Sequence, residues 1–213
     1  MAEAQGRDVD GETAGGGGGD VSRKHQYITE ILKWRASTNP DQHLYTLLNN
    51  KNHVAGTLNA LQLHKKAEKF AQVAIEVGKL QSGDHVSLLY PPGLDLIAAV
   101  YGCFYVGLIP VPIRPPNPNN MLTTLPTVKM IVQVSKSAAV MTNSQLIKLL
   151  RTKEALHIID AKTWPPMLNT DDLPRRKATF KYRTPPTPEL LAYLDFSVST
   201  TGMLAGVKVS VII

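Results

Sequence analysis

From Gly83 onward the chain repeats one arrangement, a short apolar run followed by a turn, a helical stretch and another short apolar run. "HVSLLY" leads through Pro91-Pro92-Gly93 into a helical stretch over Asp95 to Val106, and Gly107 then precedes "LIPVPI". Runs this short and this apolar suit strands buried on both faces. Helices between such strands make the crossovers that set them parallel. The pattern predicts an α/β fold with a mostly parallel sheet and flanking helices. In such sheets ligands usually bind at the carboxyl ends of the strands.

The rhythm continues with a helix from Pro126, a residue suited to a first turn, to Ser135. "AAVMT" reads as a strand, Gln145 to Arg151 as a helix and "LHIID" as another strand. Before Gly83, Ile28, Ile31 and Leu32 fall at helical spacing, and Asn39-Pro40 ends that run. "HLYTLLNN" and "HVAGTLN" read as a hairpin bridged by Asn49-Asn50-Lys51-Asn52. Leu63, Ala67, Phe70, Ala71, Ala74 and Val77 form a helical stripe within Leu61 to Val77, with Gly78 as its C-cap. Residues 1–21, which include Gly15 to Gly19, read as a disordered tail, and 22–213 as one partial domain. Within it, 161–188 is a Pro-rich basic connector that ends at the strand "ELLAYLDF".

Composition narrows the function classes. The 213 residues carry a formal charge of +6, which raises nucleic acid as a partner. The dense cluster of Arg175, Arg176, Lys177, Lys181 and Arg183 lies between Pro174 and Pro185, with no reading helix and no interleaved aromatics, so a solvated connector is expected instead. Leu94 to Ile113 is apolar enough to resemble a membrane span. Asp95, Gly107 and Pro110-Val111-Pro112 make it a helix followed by a strand, and no transmembrane segment is expected. The single cysteine, Cys103, makes no internal disulfide and has no companions at zinc spacing. With no apolar leader at the start, an intracellular, cytoplasmic setting is expected, with the nucleus also compatible.

The stretch "LDFSVSTTGMLAG" concentrates hydroxyls and ends on glycine. Ser197, Ser199, Thr200 and Thr201 can donate to phosphate oxygens, and Gly202 and Gly206 permit close backbone approach. Backbone N–H groups in such a loop can form a nest for anions, and Lys208 is the neighbouring cation. An ordinary polar turn between strands has the same composition. A Walker loop is excluded, because only Met203, Leu204 and Ala205 separate the glycines and Val207 stands before Lys208.

Together with "GDHVSLLYPPGLDLIAAVYGCFYVGLIPVPIRPP", the stretch "LAYLDFSVSTTGMLAGVKVS" resembles the adenylate-forming superfamily, in its fatty acyl-AMP ligase-like branch. "LPTVKMIVQVSKSA" and "TWPPMLNTDDLP" resemble, more closely, the disco-interacting protein 2 family. The likeness runs from about Val21 to Ser210. It implies the N-terminal part of a large AMP-binding domain whose parent joins an acyl carboxylate to the α-phosphate of ATP, giving an acyl-adenylate and pyrophosphate. ATP and Mg2+ are implied for the full-length parent, with the phosphates held by Ser197, Ser199, Thr200, Thr201 and Gly202. Two departures stand out: Ser199 replaces a common Gly, and Leu204-Ala205 replaces a common Pro-Lys. With the usual loop lysine missing, Lys208 is the candidate to compensate, and a non-catalytic interaction module is the alternative reading. The superfamily's nucleoside contacts, acyl pocket, magnesium carboxylate and catalytic lysine follow the loop. Ser210 runs into Val211-Ile212-Ile213 where Ser-His is expected, so a clipped reading frame is the expectation. The chain alone is expected to bind neither cofactor tightly and to be inactive.

Other candidates are assigned no chemistry. Cys103 reads as a buried structural thiol. His64 and His85 have no acidic partner at motif spacing and read as surface or loop histidines. Asp171 and Asp172 read as solvated neighbours on a loop.

Overall fold

The computed structural model describes residues 27–183, 191–198 and 204–210. The chain enters through helix α1 (Ile28–Thr38) and an antiparallel hairpin of β1 (His43–Leu48) and β2 (Val54–Asn59). Asn52 sits at φ 58° in the hairpin turn, a left-handed position that asparagine tolerates. Helix α2 (Ala60–Gln72) begins with a reciprocal cap, in which the Asn59 side chain accepts from the Gln62 N–H and the Gln62 side chain accepts from the Asn59 N–H. It passes directly into a π-helical turn over Val73–Val77. The apolar stripe read from the sequence over 61–77 is therefore one continuous rod with a widened last turn.

Strand β3 (His85–Leu89), helix α3 (Leu94–Tyr105) and strand β4 (Ile109–Ile113) follow as a crossover unit. Helix α4 (Met121–Val134), strand β5 (Ala139–Thr142), helices α5 (Ser144–Leu150) and α6 (Lys153–Ile158) and strand β6 (Met167–Asn169) complete the sheet. All four strands run parallel in the order β4-β3-β5-β6, as the alternating pattern predicted. Successive residues point to opposite faces. Val86, Leu88, Ala139 and Met141 pack with α2 and α3, and Leu89, Val140, Val111 and Ile113 pack with α4 and α5. The sheet thus has a separate apolar core on each side.

Leu94 to Ile113 is a helix and an edge strand, and among the described residues no helix is long and apolar enough to cross a membrane. The prolines of β4 have a definite place. The Ile109 N–H donates to the Asp84 carbonyl on the β3 side, so the N–H positions of Pro110 and Pro112 face away from β3. The prolines remove the outward donors, and β4 is an edge of the parallel sheet. Strand β7 (Leu191–Val198) lies against β4 but pairs with β8 (Leu204–Ser210) in a separate antiparallel hairpin.

Three sequence expectations are corrected. "LHIID" is not a strand: the Thr152 side chain accepts from the Ala155 N–H and starts α6, which absorbs Leu156, His157 and Ile158. The sixth parallel position is filled from within 161–188, where Met167–Asn169 forms β6 beside β5. Finally, Pro126 is interior to α4, which starts five residues earlier than expected. Its ring is tolerated on the solvent side, where the exposed Leu122 carbonyl loses its helical donor to water.

Helices α2 and α3 approach closely at Gly102. A methyl group there would lie 2.8 Å from the Ala67 carbonyl oxygen and 2.9 Å from the Phe70 Cβ. Gly102→Ala would gain about 1 kcal/mol of helix propensity, but overpacking a tight core costs about 1–3 kcal/mol. A net loss of stability is expected, read as a lower urea midpoint at unchanged slope.

Candidate functional site

The hairpin β7/β8 presents the hydroxyl-rich segment. Its last described pair is Val198 opposite Leu204, so the connection is 199–203. Ser199, Thr200, Thr201 and Gly202 lie outside the described residues. Ser197 is the penultimate residue of β7, opposite Ala205 and exposed.

Directly opposed residues of an antiparallel pair share a face. Leu194, Phe196, Gly206 and Lys208 belong to one face, and Asp195, Ser197, Ala205 and Val207 to the other. The first face supplies Leu194, Phe196 and Leu204 to the core beside β4. A side chain at Gly206 would meet the Phe196 ring at 2.8 Å, so glycine there lets the ring lie across the partner strand. Lys208 is on this face, four residues behind Leu204, about 13 Å along the strand. It therefore stands on the opposite face from Ser197 and well back from the tip. The exposed partner of Ser197 is Ala205, the position where the resemblance leads one to expect lysine.

At the carboxyl edge of the sheet a buried polar ladder closes the strands. The Thr142 hydroxyl donates to the Leu89 carbonyl at 2.7 Å, the Thr170 hydroxyl donates to the Thr142 carbonyl at 3.1 Å, and Tyr90 Oη meets Thr170 Oγ1 at 2.8 Å. Burial pushes the Tyr90 phenol far above its usual value, so it stays protonated. The sequence flagged none of these three residues. The only signal was a polar residue at the end of each apolar strand run.

A second polar centre forms where the segment before β7 crosses the helices. Residues 175–183 read as a solvated connector in the sequence, yet they are a strap docked on α2. Arg176 pairs with Glu76, the Thr179 hydroxyl donates to Glu76 at 3.2 Å, and the Lys69 ammonium donates to the Arg176 carbonyl. Burial pushes the Glu76 carboxyl upward, but its bonds from Arg176, Gln72 and Thr179 outweigh this and hold it below the usual range. Further along, the Tyr182 hydroxyl donates to Glu68 at 2.5 Å and the Arg183 N–H donates to the Tyr105 carbonyl at 2.8 Å.

His64 lies under this strap and is not a plain surface residue. Its Nδ1 is 2.8 Å from the Tyr105 hydroxyl and its Nε2 is 3.8 Å from Glu68, one helical turn on. The Tyr182 ring stacks on it at 6.5 Å and carries the Lys33 ammonium on its other contacts, 4.0 Å from the ring centre. A carboxylate only accepts, so the tautomer protonated at Nε2 satisfies both partners, with Nδ1 accepting from Tyr105. The i to i+4 spacing of His64 and Glu68 was visible in the sequence. Their burial was not. His85 is on β3 with Nδ1 2.5 Å from the Ser135 carbonyl. Asp171 accepts from the Ser144 N–H at 2.8 Å rather than standing free. Cys103 is buried, and burial pushes its thiol up to about 12, which keeps it an unreactive core group. Among the described residues no three His, Cys, Asp or Glu side chains cluster as metal ligands.

With this geometry in view, the comparisons converge. Residues 32–211 match the AMP-binding enzyme family. Disco-interacting protein 2 homolog A of Homo sapiens is 56% identical over 191 residues, covering 90% of this chain and 12% of that protein. Disco-interacting protein 2 of Drosophila melanogaster is 52% identical over 214 residues, covering 99% of this chain and 11% of that protein. A crystal structure of fatty acid AMP ligase from Legionella pneumophila superposes with a TM-score of 0.72 at 26% identity, over 90% of this chain and 31% of that one. The four-stranded parallel sheet and its flanking helices are the N-terminal part of the adenylate-forming fold. The chain belongs to the AMP-binding enzyme family and is homologous, over most of its length, to the disco-interacting protein 2 proteins. It spans about an eighth of the length of those relatives.

The surroundings of His64 set a pH dependence. Burial is the largest influence and lowers its pKa below the ordinary value of 6.5; Glu68 opposes this, and Lys33 and Lys65 reinforce it. The unfolded chain therefore binds this proton more readily than the folded one, and stability falls as pH drops through 6.5 toward the folded value. Urea unfolding between pH 7.5 and 5.5 is expected to show this loss, and His64→Gln to flatten that part of the profile.

Proposed function

We propose that the protein to which this chain contributes activates an acyl carboxylate with ATP, forming an acyl-adenylate and releasing pyrophosphate. The single observation that supports this is the hydroxyl and glycine segment carried at the turn of the β7/β8 hairpin in a chain of the AMP-binding enzyme family. Another relative of this fold was crystallised as a fatty acyl-adenylate ligase in complex with acyl adenylate and pyrophosphate, and it is 25% identical over 90% of this chain. Transfer of an adenylyl group is mainly a matter of positioning and charge stabilisation, so phosphate donors contribute directly to rate.

In this reading Ser199, Thr200, Thr201 and Gly202 hold the phosphates, and Ser197 supports them from the end of β7. The donor set fits ATP phosphates chemically, since hydroxyls and a glycine nest accept an anion without a large side chain in the way. The described residues offer no carboxylate cluster for Mg2+, so the ion's ligands are assigned to the parent rather than to them. Bound there, the ion would neutralise phosphate charge. The acyl carboxylate class follows the fatty acyl ligase neighbours, and the intracellular setting follows the lone buried thiol.

One observation favours a second reading, a nucleotide-binding or interaction module with little or no turnover. Ala205 occupies the exposed place opposite Ser197, and Lys208 is about 13 Å behind the tip on the other face. The readings separate in the full-length parent by pyrophosphate exchange with ATP and medium-chain to long-chain carboxylates. Exchange that disappears in Thr200→Val/Thr201→Val supports the enzyme; ATP binding without exchange for any carboxylate supports the module. Ala205→Lys is expected to tighten ATP binding about tenfold, the scale of one charge-assisted phosphate contact. Lys208→Ala is expected to change it less than about twofold, as a charge at that distance in solvent should. Equilibrium titration with a fluorescent ATP analogue checks both.

A further inference from the structure

We propose that the groove between the strap and the last turn of the α2 rod is a binding site for a small amphipathic anion, distinct from the hairpin segment and independent of the adenylation reading. A cavity of about 520 Å³ lies between the π-helical turn, the loop before β3, the end of α3 and the strap. Ligand pockets for small molecules fall within about 300–1,000 Å³. Its apolar wall is Ile75, Leu80, Val106 and Phe180, and its polar rim carries Lys181 and Arg183.

Three features mark it as a site rather than a packing gap. The wall and rim are chemically divided, so a ligand with an apolar body and a charged end fits better than a purely polar or purely apolar one. The two rim cations are without an ion-pair partner among the described residues. The nearby carboxylates are already engaged, Glu76 with Arg176 and Asp84 with the Gln81 N–H at 2.8 Å. The charge left over at the rim is therefore positive and selects an anion.

The rim is also held in place. Arg183 is tied through its N–H to the Tyr105 carbonyl, and the preceding Tyr182 hydroxyl is bonded to Glu68. Gly107, at φ 71°, has space for no side chain, because a Cβ would lie 2.4 Å from Ser82 Oγ and 3.4 Å from the Arg183 Cβ. The strap can reach the loop before β3 only over this glycine. On the other side, the π-helical turn widens the rod at Ile75, and such turns recur at functional positions. The head group recognised is a carboxylate or a phosphate monoester, both of which an Arg and Lys pair can bind. An aliphatic chain of moderate length supplies the body.

The test is an NMR titration of the 213-residue chain with octanoate, octyl phosphate, octanol and inorganic phosphate. The expected result is that octanoate or octyl phosphate shifts amides around Gln81, Ser82, Val106, Lys181 and Arg183. Octanol and inorganic phosphate should bind about tenfold more weakly or worse, since each lacks one half of the recognition. Tighter octanoate assigns a carboxylate head, and tighter octyl phosphate assigns a phosphate. Lys181→Ala/Arg183→Ala changes only exposed side chains and should cost about tenfold in affinity. Gln81→Trp, also at an exposed position, should close the mouth and abolish binding. Octanol binding as tightly as octanoate, an unchanged affinity in the double variant, or shifts confined elsewhere would overturn the assignment.

Discussion

Burial of β3 and β5 on both faces is the constraint from which the rest of the structure follows. A strand in that position has no solvent to satisfy its polar groups, so each one must find a partner inside. Ser87 donates to Ser137 at 2.7 Å, and Thr142 donates to the Leu89 carbonyl at 2.7 Å. With those groups satisfied, apolar side chains can fill both layers, and helices must cover both faces. The close approach of α2 and α3 at Gly102 is one consequence. The polar ladder of Tyr90, Thr142 and Thr170 at the carboxyl edge is another.

The sheet's edge decides where the hairpin sits. Pro110 and Pro112 remove the outward N–H donors of β4, and β7 packs on that edge through Leu194 and Phe196 without extending the ladder. The hairpin is thus joined to the sheet by apolar contact and to the helices by the strap that precedes it. Arg176, Thr179, Tyr182 and Arg183 tie that strap to Glu76, Glu68 and the Tyr105 carbonyl. Basic residues that look like solvated punctuation in the sequence have two different uses here: Arg176 is an anchor, and Lys181 and Arg183 are left as unpaired charge on a cavity rim.

The crossover pattern, the edge character of "LIPVPI", the first hairpin and the α2 stripe were legible because each depends on local chemistry: apolar period, turn residues and missing donors. "LHIID" misled because its apolar residues suit a strand or a short helix equally, and the decision came from a threonine cap three positions before Ala155. The role of Met167–Asn169 was hidden among prolines, since three residues are too few to show a period. Of the candidate site, the hydroxyl-rich segment was evident from composition, whereas the opposite faces of Ser197 and Lys208 required the strand register.

Sequence alone determined the α/β character, the family-like blocks and the hydroxyl-rich segment, because those rest on residue type and spacing along one chain. Tertiary structure alone decided that His64 is half-buried beneath Tyr182, that the basic connector is a docked strap, and that Lys181 and Arg183 border a cavity. The physical reason is that burial and charge pairing between residues as far apart as Glu68 and Tyr182 depend on loop closure across the whole sheet, and no local pattern records which distant groups will meet.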